Sequence, residues 1–245
     1  MSVDSISIIL PAFNEAENIR TAIRMSVVAC ERLGLDFEVV VVDDGSQDQT
    51  GILSADVASE NACVRLVTHE RNRGYGAALK SGIMASTKDY VFFTDADLQF
   101  DMQELGRLLV LADAYDIIAG YRQKRSDPLF RRFNAWAWGC LVDALFELRV
   151  HDVDCAFKVF HRRVFEKIPI HSVGAFVNTE ILVRAKAEGF RIAEVPVSHY
   201  PRNAGKQTGA DLRVVARAFR ELTRLHGELR DAQTRALELR RNPSK

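Results

Sequence analysis

A regular alternation of short apolar runs with longer helical stretches limits most strongly what this chain can fold into. Ser5–Leu10, Phe37–Val42, Cys63–Thr68, Tyr90–Thr94 and Asp116–Ala119 read as strands of 4–6 residues. Pro11 ends the first of them. Between them Glu15–Arg32, Gln49–Ser59, Gly76–Ser86 and Met102–Leu111 read as helices. Phe37–Val42 is continuous in valine, as a strand buried on both faces is. Such alternation predicts an α/β fold with a mostly parallel, doubly wound central sheet flanked by helices. Ligands of such sheets bind beyond the carboxyl ends of the strands. Here those ends carry Pro11 to Glu15, Asp43-Asp44, His69 to Arg73, Asp95 to Gln99, and Tyr121-Arg122. They form one polar, carboxylate-rich rim.

Beyond Arg122 the pattern changes. A basic loop, Arg122–Arg132, precedes an aromatic helix running through Trp136 and Trp138 to Leu148. Val153–Phe160 and Arg191–Val195 read as strands, Phe176–Glu188 as a helix, and Asp211–Leu239 as one long helix. The expected organisation is a single domain over residues 1–210, in halves 1–120 and 121–210. An amphipathic C-terminal helix over 211–245 follows it.

Composition removes several classes. At 245 residues, 47% apolar and 27% charged, the chain is neither disordered, collagen-like nor a small disulfide scaffold. Lys plus Arg and Asp plus Glu each number 33, so a protein that wraps nucleic acid is not expected. Cys30, Cys63, Cys140 and Cys155 include no C-x-x-C pair, and the six histidines show no metal-ligand spacing. Reduced thiols and a cytoplasmic location are the expectation. No apolar run approaches the ~20 residues of a membrane span, and the N-terminus lacks the basic region of a signal peptide.

Three motifs carry chemistry. Asp95-Ala96-Asp97 follows the apolar run Tyr90 to Phe93, and two carboxylates one residue apart at a strand end can share a hard cation. Gln99 can add a neutral oxygen, and Asp101 fits an N-cap before Met102. Asp43-Asp44-Gly45-Ser46-Gln47-Asp48 places a second acidic pair at a second strand end. One of its carboxylates can accept from the N–H of uracil or guanine, and Asp48 fits a helix cap. Arg71-Asn72-Arg73-Gly74-Tyr75-Gly76-Ala77-Ala78 mimics a dinucleotide fingerprint, but Leu79 stands where the third glycine belongs. A turn that lets backbone approach phosphate or sugar is the better reading.

Together with Ser7-Ile8-Ile9-Leu10-Pro11-Ala12-Phe13-Asn14-Glu15, these motifs resemble the family-2 inverting glycosyltransferases of the GT-A nucleotide-sugar transferase fold. Asp95 to Gln99, Ala119-Gly120-Tyr121-Arg122, Asp154-Cys155-Ala156-Phe157-Lys158 and Glu194-Val195-Pro196-Val197 narrow the likeness to the dolichyl- or polyprenyl-phosphate mannose synthase branch, over roughly residues 5–210. The resemblance implies a nucleotide-sugar donor such as GDP-mannose or UDP-glucose, and a divalent metal, Mg2+ or Mn2+. The first half would then be the nucleotide-binding half and the second the acceptor half. Pro11, Phe13, Glu15, Val42 and Asp44 would hold the nucleoside. Asp95, Ala96, Asp97 and Gln99 would hold metal and diphosphate, with the metal on Asp95, Asp97 and Gln99. Arg122, Arg202 and Lys206 would meet the phosphates, and Asp97, Arg122 and Arg202 would carry catalysis. Many relatives have Tyr where Phe13 stands, so a hydroxyl contact is lost.

Other family-2 branches use an acidic pair in the acceptor half to deprotonate a hydroxyl. The matching segment here is Asn178-Thr179-Glu180, leaving only Glu180. The Q-x-x-R-W motif of processive synthases is absent. A polyprenyl phosphate acceptor is already anionic and needs no strong base; an alcohol acceptor would need Glu180 or Asp154. Arg122, Lys124, Arg125, Arg131 and Arg132, beside Phe130, Phe133, Trp136 and Trp138, suit an anionic membrane surface. The last helix sets Leu212, Val215, Phe219, Leu222, Leu225 and Leu229 at helical spacing beside Arg213, Arg217, Arg220 and Arg224. It can meet lipid, a second copy, a membrane-protein partner or its own domain. A transferase to a soluble hydroxyl and a silent nucleotide-sugar-binding subunit stand as the alternatives.

Overall fold

A computed structural model describes residues 3–123, 129–202 and 212–241. In chain order the elements are β1 (Ser5–Ala12), α1 (Ile19–Leu33), β2 (Asp36–Asp43), α2 (Thr50–Glu60), β3 (Val64–Thr68) and α3 (Tyr75–Ala85). They continue with β4 (Tyr90–Phe93), a 3-10 turn (Met102–Glu104), α4 (Leu105–Leu109), β5 (Ile117–Arg122) and α5 (Leu129–Phe146). Then come β6 (Lys158–His161), α6 (Arg163–Lys167), α7 (Val177–Ala187), β7 (Ile192–Val197) and α8 (Leu212–Arg241).

The seven strands form one sheet in the order β3-β2-β1-β4-β6-β5-β7. All neighbours are parallel except β6, which runs antiparallel to both β4 and β5. The valine run behaves as expected: Val39 to Val42 have no exposed surface. Alternation sends Val39 and Val41 into the core under α1 and α4, and Val40 and Val42 into the core under α3 and α7. Burying each valine side chain contributes about 1.5–3 kcal/mol.

Several elements differ from expectation, and three of the boundaries have a clear local cause. β1 continues through Pro11 to Ala12. Its pairing with β4 ends at Ile9, so the N–H that proline lacks is not missed there. α1 begins at Ile19 rather than Glu15. The hydroxyl of Thr50 and the carboxylate of Asp48 take the backbone N–H groups of Glu15 and Ala16, which holds that stretch as a loop. The strand expected from Val153 starts only at Lys158. Lys158 is fully buried, and its Nζ donates to the carbonyls of Val153 and Cys155, drawing those residues into a turn. α8 packs on its own domain: Leu222 and Leu225 are buried in the core, and Arg184 of α7 bonds Glu228 at 2.6 Å.

Candidate active site

The carboxyl end of β2 is a closed knot. Asp44 is buried, with Oδ1 2.6 Å from His69 Nδ1 and accepting the Arg73 N–H at 2.9 Å. Its Oδ2 accepts the Gly74 N–H at 2.8 Å. His69 Nε2 lies 2.9 Å from the Ser81 hydroxyl on α3. A carboxylate has about four acceptor positions, so the chain itself takes most of them at Asp44. Asp43 accepts the Ser46 N–H at 3.0 Å. Burial alone would raise the pKa of Asp48, but its bonds to Thr50 and Ala16 hold it below the usual carboxylate value. Gly45 has φ 70°, and a Cβ there would collide with the Arg71 backbone, so glycine is required.

The carboxyl end of β4 is different. Burial pushes the Asp95 pKa up to about 7, with repulsion from Asp97 adding to it. Asp95 Oδ1 is closed to solvent and makes no hydrogen bond. Asp97 is buried and also raised, by the same loss of solvent. Its Oδ1 accepts the Gln99 N–H at 3.2 Å, and its Oδ2 lies 3.6 Å from Arg202 Nη1. Leu98 between them takes a left-handed φ of 60°, a strained choice for leucine of the kind that clusters at functional turns. The Gln99 amide donates to the Tyr200 carbonyl at 3.0 Å. Asp101 caps the following turn by accepting the Gln103 N–H at 2.9 Å, as expected.

Two crowded carboxylates with raised pKa values, one of them holding an oxygen without a donor, fit a hard divalent ion. Among the described residues no three His, Cys, Asp or Glu side chains gather into a metal cluster. The chain therefore fits a site in which one or two carboxylates hold Mg2+ or Mn2+ and phosphates and water complete the shell.

The other expected contacts divide. Glu15 and Arg202 are together: Arg202 bonds the Glu15 carboxylate and faces Asp97, while Asn18 donates to Glu15 at 2.8 Å. Phe13 is half-buried, and Pro11 and Ala96 are buried beside the rim. Val42 has no exposed side-chain surface and packs into the core under α3, so any contact with a nucleoside would fall to its backbone. Arg122 is paired within the chain. Its guanidinium grips Asp152 with two bonds, 2.6 and 2.8 Å. Burial alone would lower its pKa, but this bidentate pairing raises it. Phosphates would have to compete with Asp152 for it. Lys206 lies outside the described residues.

The glycine-rich turn also serves the fold rather than a ligand. Gly74 has φ 102°, and a Cβ on Gly74 or Gly76 would collide with carbonyls of residues 172–174. The N–H groups of Gly76 and Ala77 donate to the Val173 carbonyl at 3.0 and 3.3 Å. The α3 N-terminus is thus capped by the chain and does not present these groups to phosphate. Glu180 is likewise withdrawn. It is 2% exposed, accepts the N–H groups of His171 and Ser172, and bonds Arg184 at 2.9 Å. Sequence reasoning had no direct signal for Asp152, His69 or Tyr75, whose partners lie far along the chain. Asn178 was visible only as the neutral residue standing where an acid was sought.

A mixed, mostly parallel seven-stranded sheet flanked by helices, with an Asp-x-Asp turn at the end of β4, is the architecture of the GT-A nucleotide-sugar transferases. The chain belongs to glycosyl transferase family 2, whose model matches residues 7–169. It is 30% identical over 217 residues to the undecaprenyl-phosphate 4-deoxy-4-formamido-L-arabinose transferase of Enterobacter sp. (strain 638). That match covers 87% of this chain and 65% of the relative, so the chain spans less than two-thirds of that protein's length. The fold is shared with glucosyl-3-phosphoglycerate synthase of Mycobacterium tuberculosis. Its complex with Mn2+, UDP and phosphoglyceric acid superposes with a TM-score of 0.70 at 22% identity, over 91% of this chain and 79% of that one. Its complex with Mn2+ and UDP-glucose gives 0.68 at 22% identity, over 89% and 77%.

Proposed function

We propose that this chain is a metal-dependent inverting glycosyltransferase that moves a hexose from a GDP- or UDP-sugar to a polyprenyl phosphate at a membrane surface. One observation carries the choice of acceptor. The α7 side chain that meets Tyr75, which in turn meets Asp95, is Asn178, an amide that cannot take a proton, while Glu180 is buried under residues 171–172. A hydroxyl acceptor needs a base at this place; a phosphate acceptor is already anionic. The Enterobacter relative is named for transfer to undecaprenyl phosphate, and the fold relative was crystallised with UDP-glucose and Mn2+.

Asp97, with Asp95 and Gln99, would hold the metal. When bound, Mg2+ or Mn2+ would offset the charge that develops on the leaving diphosphate. Arg202, already 3.6 Å from Asp97, adds a cation on the same side. Asp44 and its knot hold the Arg73–Gly74 turn rigid at the nucleoside end. No helix among the described residues is long and apolar enough to cross a membrane. The lipid would be met at a surface, where Trp136 and Phe219 are exposed and α8 carries the exposed Arg217, Arg220 and Arg224.

The test is a donor screen with Mn2+ or Mg2+, using GDP-mannose, UDP-glucose and UDP-N-acetylglucosamine, with and without polyprenyl phosphate in detergent. Release of nucleoside diphosphate only when the lipid phosphate is present is expected. Release that depends on a soluble alcohol and ignores the lipid would overturn the acceptor.

A further inference from the structure

The Arg202 guanidinium stands between two acids of the rim. One of its nitrogens bonds the Glu15 carboxylate, and the other, Nη1, lies 3.6 Å from Asp97 Oδ2. All three side chains are largely withdrawn from solvent, with 15% of Arg202, 11% of Glu15 and 10% of Asp97 exposed. The acids crowd one another. Repulsion from Glu15 adds to the rise in pKa of both Asp95 and Asp97, and the Arg202 charge opposes that rise at Asp97. Arg202 is thus the chain's own counter-ion for a carboxylate that the transferase reading gives to a metal.

Its place is fixed from both sides. Ser198 donates its N–H and its hydroxyl to Glu104 at 2.8 and 3.0 Å. The Tyr200 N–H bonds the Gln99 carbonyl at 2.8 Å, and the Gln99 amide returns a bond to the Tyr200 carbonyl at 3.0 Å. Phe100 and His199 add an antiparallel bridge. Residues 198–200 are therefore strapped to the turn that carries Asp97 and Gln99, and Arg202 follows two positions later. Opposite it, Thr50 takes the Glu15 N–H and Asn18 donates to the Glu15 carboxylate. An arginine beside a carboxylate lowers its affinity for a proton by about ten- to a thousandfold. A divalent ion approaching Asp97 meets the same opposing charge.

Resting on the transferase reading above, we infer that Arg202 competes with the metal for Asp97 and so makes metal binding depend on the donor's diphosphate. Metal alone has to enter beside a guanidinium that Glu15 holds in place. A diphosphate changes the balance, because its oxygens accept from the guanidinium and ligate the metal at once. Two cations that repel each other at Asp97 then share one anion. The coupling is reciprocal, so metal strengthens diphosphate binding by the factor by which diphosphate strengthens metal binding. The Glu15–Arg202 pair thereby keeps the site from loading with metal before the donor arrives.

Calorimetric titration of Mn2+ tests this on wild type, Arg202→Met and Arg202→Lys, each alone and with saturating UDP or GDP. Without nucleotide, Arg202→Met should bind Mn2+ about tenfold more tightly than wild type, while Arg202→Lys keeps the weak binding of wild type. The nucleoside diphosphate should then strengthen Mn2+ binding by a larger factor in wild type than in Arg202→Met. Thermal melting confirms that each variant is folded, and Arg202→Gln repeats the measurement if the methionine variant unfolds. Neutral variants that bind Mn2+ alone no better than wild type overturn the competition. Equal strengthening by nucleotide in wild type and Arg202→Met overturns the coupling. If Mn2+ binds neither chain, with or without nucleotide, the metal-dependent reading itself fails and takes this inference with it.

Discussion

The ends of β2 and β4 carry the same residue type in opposite circumstances. Asp43 and Asp44 are met by N–H groups of Ser46, Arg73 and Gly74 and by the His69 ring. Asp95 and Asp97 are pressed together in a place short of donors, and both have raised pKa values. The first pair ties the chain; the second would take a cation on the function proposed above. Paired acids at a strand end acquire their meaning from the N–H groups that converge on them, not from their spacing.

That contrast can be broken by exchanging its terms. The largest effect is expected at Asp97→Asn: nucleoside diphosphate release should fall by about 10³-fold, with the melting temperature unchanged or raised. A fully active variant would refute the metal assignment. Asp44→Ala should do the reverse, removing about 2–3 kcal/mol of folding stability by leaving the Arg73 and Gly74 N–H groups and His69 without their acceptor. Urea unfolding measures it, and an unshifted midpoint would mean that the knot does not hold the turn.

The pH response sharpens the comparison further. The folded-state pKa of Asp95, about 7, lies above its ordinary 3.8. Between those values the folded chain binds more protons than the unfolded chain. Metal-free stability from this group is therefore lost as pH rises from about 4 to about 7. Asp48, whose pKa is lowered, contributes in the opposite sense, losing stability as pH falls through the acid range. In EDTA, Asp95→Asn should flatten the decline toward neutral pH; an identical pH slope in both proteins would count against it. The smallest effect belongs to Asp101→Ala, where loss of the cap on Gln103 should cost about 1 kcal/mol and leave donor affinity alone.

Much of this was open to reading from the chain. Apolar run lengths located the strands of the first half to within a few residues because a buried strand has to be apolar, whereas β6 starts five residues later than read. The rim followed from the rule that strands point their carboxyl ends at ligands. Asp101 could be assigned because a cap acts within its own turn. What was hidden is non-local. Asp44 finds its partner 25 positions away at His69, and Arg122 finds Asp152 30 positions on. No local pattern distinguishes an arginine that awaits phosphate from one already gripped by a carboxylate. Gly74 and Gly76 show the same limit, since close approach to a ligand and close approach to residues 172–174 demand the same absence of a side chain. The reversed direction of β6 was invisible too, because a buried strand reads alike both ways.

That reversed strand has a consequence for anyone who would recombine this scaffold. β6 comes from the second half of the chain but is hydrogen-bonded between β4 and β5 of the first. A chimera joined at residue 120 would therefore borrow the middle of the sheet from a different parent than its flanks. The exchangeable unit is not a half but a loop. New acceptor preferences are better grafted onto the rim, with β6 left to the parent of the β4 and β5 it pairs, and the Val173 carbonyl to the parent whose α3 it bonds.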